Sequence, residues 1–236
     1  MALTTDNAAA AALCLSLTAI GRAFAEWALD ARFGAGFRRL APRHRALAVK
    51  NALKGAVLMA CVPLASVALD LRYRQGVADA DNPFLGLVAA AYAAQDATAL
   101  ATCFGWLAPR TRAHHCVVCV LWVLFATSRL RGPFAAAVWL CAAATTTGVV
   151  NVYLALRKLL PPGERRSMAS ACFWLYASVF AATVVHQTLL LRASDGGPAA
   201  ACLWAAFLAV VWIDDVYLLR HLFVARRARE PASRAQ

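Results

Sequence analysis

Charged residues are scarce in this chain. Only 15% of its 236 residues are Asp, Glu, Lys or Arg, against about 25% in soluble domains, while 62% are hydrophobic. Apolar blocks long enough to cross a bilayer, which takes roughly 20 helical residues, recur along the sequence. The strict polar–apolar alternation of a β-barrel is missing. The composition therefore excludes an ordinary soluble domain and predicts an all-α integral membrane protein.

Acidic residues are scarcer than basic ones, with 12 Asp and Glu against 24 Lys and Arg. The resulting net charge of +12 would suggest nucleic acid binding in a soluble protein. Most of these basic residues lie between apolar blocks, where they orient membrane spans, so we expect no nucleic acid partner. Cysteines are missing from the loops: all eight lie within apolar blocks, so we expect buried thiols and no disulfides.

Seven apolar segments are predicted to be transmembrane helices, with bounds at 8–29, 46–69, 84–107, 112–128, 133–156, 168–191 and 199–224. The fourth has only about 17 residues, so a re-entrant segment is the alternative there. Seven spans place sixteen basic loop and tail residues on one face of the membrane and five on the other. This asymmetry predicts an N-terminus outside or in the lumen and a cytosolic C-terminus.

The predicted organisation has three parts. Residues 1–45 form an N-terminal transmembrane helix and a basic cytosolic loop, residues 46–224 form a six-helix membrane domain, and residues 225–236 form a short basic cytosolic tail. The first segment carries Arg22 and Glu26 and lacks a basic leader, which favours a retained anchor over a cleaved signal peptide.

Polar side chains inside the apolar segments are the candidate functional residues, because such groups are costly in a bilayer unless they face a protein interior or a wet cavity. Most of them lie toward the predicted cytosolic ends, which favours a polar vestibule on that side. The candidates are Lys50, Lys54, Tyr92, Asp96, His114, His115, Asn151 and Asp214.

Asp96 and the pair His114–His115 are the candidate catalytic residues, and the other candidates are assigned to substrate binding. Histidine suits proton transfer or transient acylation at neutral pH, and an aspartate can orient it. Asp96 precedes Leu107 by eleven residues, whereas His114 closely follows the turn. At 1.5 Å per residue, we expect their depths to differ by about 10 Å, which leaves a direct contact between them open.

Ordinary structural roles are expected for other polar residues. The hydroxyl groups of Thr145, Thr146 and Thr147 are expected to bond carbonyl groups of their own helix. His186 is expected to form an interhelical hydrogen bond. Arg22 and Glu26 have the i,i+4 spacing of a simple ion pair near a helix end.

Two further groups lead to structural expectations. Asp214 and Asp215 are adjacent and cannot share one helical face, so at least one is expected to be structural or to pair with Arg220 or a lysine. Cys116 and Cys119 lie beside His115 but lack a second ligand pair, so we expect neither a metal nor another cofactor.

The succession of Tyr92 and Asp96, a basic turn and the His114–His115 pair resembles the TLC-domain family, the TRAM, LAG1 and CLN8 homology group of multi-spanning membrane proteins. The following helix is similar to that of the branch outside the ceramide synthases, with three threonines and Asn151, although Ala144 replaces its usual Glu. The ceramide synthases carry additional acids after the histidine pair, and this chain has none between His115 and Leu160. The resemblance covers about 46–224 and favours the non-synthase branch.

Two functions follow from this resemblance. The first is binding or sensing of membrane lipids in lipid homeostasis, with sphingolipids as one class. The alternative is a ceramide-synthase-like N-acyltransferase that uses acyl-CoA and the His114–His115 pair. The resemblance implies the endoplasmic reticulum, with the plasma membrane as the alternative.

Other seven-helix classes lack their signals here. A retinal protein needs a lysine in the last segment, and 199–224 contains none. A glycosylated receptor N-terminus is not indicated, because Met1–Asn7 has no acceptor motif. No ring of like charges or filter-like repeat indicates a channel.

Overall fold

A computed structural model describes residues 5–78, 81–126, 138–192 and 197–227, and these residues are almost entirely helical, without a strand. The helices are α1 Thr5–Phe33, α2 Ala35–Arg38, α3 Pro42–Ala60, α4 Val62–Tyr73, α5 Pro83–Cys103, α6 Pro109–Ala126, α7 Trp139–Thr145, α8 Gly148–Leu156, α9 Pro162–Arg192 and α10 Gly197–Arg227, with a 3₁₀ helix at Phe104–Trp106. The predicted all-α class is confirmed for this part of the chain.

Prolines and one asparagine fix where helices begin. Proline occupies the first turn of α3, α4 and α5, where its missing N–H would have no helical partner in any case. Asn82 caps α5 by accepting a hydrogen bond from the Leu85 N–H at 3.1 Å. The same side chain donates to the Ala68 carbonyl at 2.9 Å, which ties the start of α5 to α4.

Four helices of the described residues are long and apolar enough to cross a membrane: Ala12–Phe33, Pro83–Trp106, Pro162–Leu190 and Cys202–Arg227. Two bent pairs, α3–α4 at 42° and α7–α8 at 57°, raise the number to six if each pair is one span. The helix α6 has 18 residues and is not among them. The fold is therefore an integral membrane bundle with four to six candidate spans, and the count of seven stays a prediction.

The outer surface of the bundle is apolar, as expected for helices that contact lipid. On α1, for example, Leu17, Ile20, Phe24 and Trp27 are between 57% and 68% exposed. An apolar surface of this extent marks a membrane or partner contact in any protein. Buried polar groups lie inside the bundle instead, among them Lys54, Asp96, His114 and His115.

Two glycines let α3 and α8 approach closely. A Cβ atom at Gly55 would lie 2.8 Å from the Gly148 carbonyl oxygen, and one at Gly148 would lie 2.8 Å from the Gly55 carbonyl oxygen. Small residues of this kind let membrane helices come together at backbone distance. This crossing fixes α3, which carries both candidate lysines, against α8, which carries Asn151.

Some sequence predictions lie outside the described residues. These are the start of the fifth span at 133–137, the basic residues Arg129 and Arg131 of the preceding loop, and residues 228–236 of the tail.

Candidate functional site

A cavity of about 480 Å³ inside the bundle collects the candidate residues. Its volume is within the range of small-molecule sites, roughly 300–1,000 Å³. Asp96 is fully buried next to this cavity and contacts two of the lining side chains. The other seven candidates all line it: Lys50, Lys54, Tyr92, His114, His115, Asn151 and Asp214.

Lys54 and Asp96 form a buried ion pair between α3 and α5. The ammonium group of Lys54 donates to Asp96 Oδ1 at 2.5 Å, and both side chains are almost inaccessible to solvent. The Lys54 Nζ also lies 4.1 Å from the centroid of the Tyr92 ring, a cation–π geometry. A buried charge without such partners would be very costly, so each member of the pair depends on the other.

His115 contacts the same oxygen of the Asp96 carboxylate as Lys54 does. Its Nδ1 is 2.9 Å from Asp96 Oδ1, although the ring is not aligned for a linear hydrogen bond. Its Nε2 lies 3.5 Å from Lys50 Nζ. An ammonium group can only donate, so Nε2 is the acceptor and the proton of the neutral ring is on Nδ1, facing Asp96. This arrangement orients a histidine whose basic nitrogen faces the cavity.

The expected depth difference between Asp96 and the histidines is wrong, and the helix bounds explain why. Helix α5 ends at Cys103 and α6 begins at Pro109, so the turn is longer and starts earlier than predicted. Asp96 therefore lies about 10 Å from the end of α5, and His115 lies about 9 Å from the start of α6. The two side chains reach the same depth.

His114 belongs to a second polar group at the edge of the cavity. Its Nδ1 lies 4.0 Å from Asp214 Oδ2. The carboxylate of Asp214 also accepts a hydrogen bond from the Thr111 hydroxyl at 2.9 Å and pairs with Arg110 Nε at 3.3 Å. The rings of His114 and His115 meet edge to face, with centroids 5.6 Å apart, which joins the two groups.

Asp214 and Asp215 have separate partners, and among the described contacts neither partner is Arg220 or a lysine. Asp214 pairs with Arg110 rather than with Arg220, and Asp215 accepts a hydrogen bond from the Tyr176 hydroxyl at 2.6 Å. Both carboxylates line the cavity, although they leave α10 in different directions. The cavity therefore contacts α10 on both of the sides from which these two carboxylates project.

Several polar cavity residues were not among the candidates. Arg110 and Arg157 counted only as loop charges, and Tyr176 is an unremarkable aromatic residue in an apolar segment. The one available signal was the position of Arg110 and Thr111 directly after Pro109, a helix-start residue, which places them on the first turn of α6. The overlooked polar lining residues are Asn51, Arg110, Thr111, Arg157, Tyr176, Thr183, Asp215, Tyr217 and His221.

Asp96, His114 and His115 each offer one potential ligand atom, and these atoms lie within 4.8 Å of one another. Two imidazoles and a carboxylate are a familiar donor set for transition metals. However, the Lys54 ammonium already pairs with Asp96 at 2.5 Å, and a divalent cation would be repelled by it. The charge of the site therefore suits an anion better than a metal ion.

The cysteines beside the histidines are arranged differently from a metal site. Cys116 is exposed, and the Cys119 thiol contacts the Ala93 carbonyl oxygen at 3.7 Å. All eight cysteines of the chain are free thiols.

The structural roles predicted for the threonines and for His186 are confirmed. The hydroxyl groups of Thr145, Thr146 and Thr147 each donate to a carbonyl group three residues earlier at 2.7 Å. His186 Nε2 lies 2.8 Å from the Tyr73 hydroxyl, which links α9 to α4.

Arg22 and Glu26 each contact a neighbouring helix, and no ion pair joins them to each other. Arg22 donates to the Thr102 hydroxyl of α5 at 2.6 Å, and Glu26 lies 4.0 Å from Arg45 of α3. Both side chains therefore hold α1 against neighbouring helices.

Comparison with protein-family models, curated proteins and solved structures gives no match to this chain. The resemblance of Tyr92, Asp96, His114 and His115 to the TLC pattern therefore stays a prediction. The arrangement of the cavity itself carries the functional conclusion.

Proposed function

We propose that this chain is a TLC-type membrane protein that binds a lipid in the cavity between its helices, with a role in lipid homeostasis. The observation that carries the proposal is the cavity itself, which combines buried ionisable groups with an apolar wall. The wall includes Val118, Leu121 and Trp122 of α6 and Phe180 of α9. A ligand that matches both parts has a polar head and an apolar chain, as a lipid does.

A cavity-filling substitution tests lipid binding. Ala144 lines the cavity, so Ala144→Phe is expected to occupy the space of the ligand. The matched control is Ala181→Phe on the exposed surface of α9. Lipids that co-purify with each protein in mild detergent are identified and quantified by mass spectrometry. We expect the Ala144→Phe protein to lose a lipid that the wild type and the control retain.

Equal lipid content in the wild type and in Ala144→Phe would contradict lipid binding at this cavity. Absence of any specific lipid from the wild-type protein would contradict it as well. Circular dichroism of each preparation shows whether the helical fold is intact, so a folding defect is not mistaken for lost binding.

The contact between Asp96 and His115 favours one second candidate, an N-acyltransferase that resembles the ceramide synthases. In this reaction the amine nitrogen bonds to the acyl carbonyl carbon as the thiolate of CoA leaves it, and His115 Nε2, once released from its 3.5 Å contact with Lys50, takes the amine proton. Asp96 holds the ring with Nε2 toward the cavity. Basic residues at the cavity, such as Arg110 and Arg157, suit the phosphate groups of acyl-CoA.

Turnover separates the second candidate from the first. Wild-type protein is assayed for acylation of sphingoid bases by acyl-CoA, beside His115→Ala and the His114→Ala/His115→Ala variant. If the protein is an acyltransferase, we expect a wild-type rate at least about 100-fold above that of His115→Ala, the usual contribution of a general base. Equal background rates in all three proteins would rule out this chemistry for these substrates.

The proposal includes a seven-span topology. Counting α6 as a span, together with the two bent pairs and the four long helices, gives seven. The 18 residues of α6 extend about 27 Å, close to the roughly 30 Å of a bilayer core. With the basic residues of 30–45 and 157–167 in the cytosol, the C-terminus is cytosolic and the N-terminus is outside or lumenal.

Epitope tags at the two ends test this topology. We expect an antibody applied from the cytosolic side to reach a C-terminal tag, while an N-terminal tag is reached only from the opposite side. Both tags on one side would show an even number of spans and would overturn the count of seven.

A further inference from the structure

Lys50 lines the cavity beside the buried Lys54–Asp96 pair and has no acidic partner among the residues that the structure describes, unlike Lys54. It lies on α3 one turn before Lys54 and lines the cavity. Its Nζ contacts the neutral His115 ring at 3.5 Å. Among the residues that the structure describes, no carboxylate lies within ion-pair distance of this ammonium group. A largely buried ammonium group in this position gains most from a negative charge supplied by a ligand.

The nearby carboxylates already have partners. Asp96 accepts from Lys54 and faces His115, so its single charge is opposed by that of Lys54. Asp214 pairs with Arg110, and Asp215 accepts from Tyr176. Because the charge of Asp96 is opposed by that of Lys54, the charge of Lys50 has no counter-charge within the cluster of Lys50, Lys54 and Asp96.

Part of the cavity wall is apolar. It includes Val118 and Leu121 of α6, Leu140 of α7, and Val179 and Phe180 of α9. A ligand that neutralises Lys50 and fills this volume therefore carries one acidic group and an apolar chain.

We propose that the cavity binds a single-chain lipid with one acidic head group, a carboxylate or a phosphate monoester, and that Lys50 receives this group. The acidic oxygen accepts a hydrogen bond from Lys50 Nζ, and the chain lies along the apolar wall. This inference rests on the proposed lipid-binding function and specifies the charge of the ligand.

Three single-chain probes of equal length test the proposal: palmitic acid, hexadecyl phosphate and uncharged hexadecanol. Their affinities are measured with purified protein in nanodiscs of zwitterionic lipid. The variants are Lys50→Met, Lys50→Arg and the control Lys158→Met. Lys158 is an exposed residue that contacts His44 and does not line the cavity.

For the wild type, we expect at least one acidic probe to bind about tenfold or more tightly than hexadecanol, as charge-assisted hydrogen bonds allow. Lys50→Met removes this preference and leaves hexadecanol binding unchanged. Lys50→Arg and Lys158→Met retain it. The more tightly bound of the two acidic probes then identifies a carboxylate or a phosphate as the natural head group.

Three results would overturn the inference, and they differ in what they say about the proposed function. Equal binding of hexadecanol and both acidic probes by the wild type would refute the acidic head group but leave lipid binding intact. No binding of any probe would refute both for single-chain lipids. An acidic preference that survives in Lys50→Met, with its helical fold intact, would refute the role of Lys50.

Discussion

Replacing Asp96 by Asn is expected to lower the free energy of unfolding by about 3–5 kcal/mol, because it leaves the Lys54 ammonium buried without a counter-charge. Lys54→Met is expected to cost a similar amount, because it leaves the Asp96 carboxylate unpaired. The two side chains form a 2.5 Å pair with 6% and 0% of their side-chain surface exposed. In such a pair, the loss of one partner costs more than the loss of both.

The double variant Lys54→Met/Asp96→Asn tests whether the loss of stability in each single variant comes from the uncompensated charge. We expect it to be more stable than either single variant, since no uncompensated charge remains. Unfolding is followed by far-UV circular dichroism during titration of mixed micelles with SDS. Additive losses in the double variant would show that the two residues are not coupled and would contradict the buried pair.

The exposed pair of Asp70 and Arg74 on α4 is the matched control. Its Nε–Oδ1 distance is 3.3 Å, but 83% of the Arg74 side chain and 42% of the Asp70 side chain are exposed. Exposed pairs contribute about 0–1 kcal/mol. Asp70→Asn should therefore change stability far less than the same substitution at Asp96.

Replacing Gly55 or Gly148 by Ala is expected to destabilise the protein by about 1–3 kcal/mol through overpacking. Each added Cβ atom would lie 2.8 Å from a carbonyl oxygen of the other helix, and a backbone cannot rotate away as a side chain can. Because α3 carries Lys50 and Lys54, its displacement should also weaken retention of the cavity lipid.

Gly86 on α5 supplies the control for this crossing. A Cβ atom there would meet Phe125 Cε1 at 3.5 Å, an ordinary contact distance. Gly86→Ala is therefore expected to be neutral or to stabilise by up to about 1 kcal/mol through helix propensity. If Gly55→Ala and Gly148→Ala also behave this way, α3 and α8 do not approach as closely as the structure places them.

The double variant Gly55→Ala/Gly148→Ala adds a second test of the same crossing. Once the first alanine has separated α3 from α8, the second meets less resistance, so the double loss should be smaller than the sum of the single losses. The same unfolding titration measures all three variants. Strict additivity would show that the two glycines do not share one contact.

Local sequence was enough to locate the helices but not their breaks. The predicted segment 46–69 and the described part of the predicted segment 133–156 are each two helices, bent by 42° and 57°. Pro63 and Gly148 mark these positions in the sequence, and proline inside a helix is a known cause of kinks. A hydropathy average over about 20 residues does not detect a helix break that depends on a single residue.

For the candidate site, too, the sequence predicted some features, and the others depend on tertiary structure. The cost of a polar group in a bilayer singled out Asp96, Lys54 and the two histidines from the sequence alone, because that cost depends only on residue type and its apolar neighbours. Which groups pair depends on helix rotation and depth, and these are set by packing. Asp96 pairs with Lys54, 42 positions away, and Asp214 pairs with Arg110 rather than with Arg220 on its own helix.

The sequence by itself therefore determined that this is an all-helical membrane protein and which side chains are unusual in it, since both follow from the free energy of placing residues in a bilayer. Only the tertiary structure decided that those side chains surround one cavity, that Asp96 and His115 reach the same depth, and that Lys50 lacks an acidic partner. These features depend on a turn of a few residues after Cys103 and on the close crossing at Gly55 and Gly148.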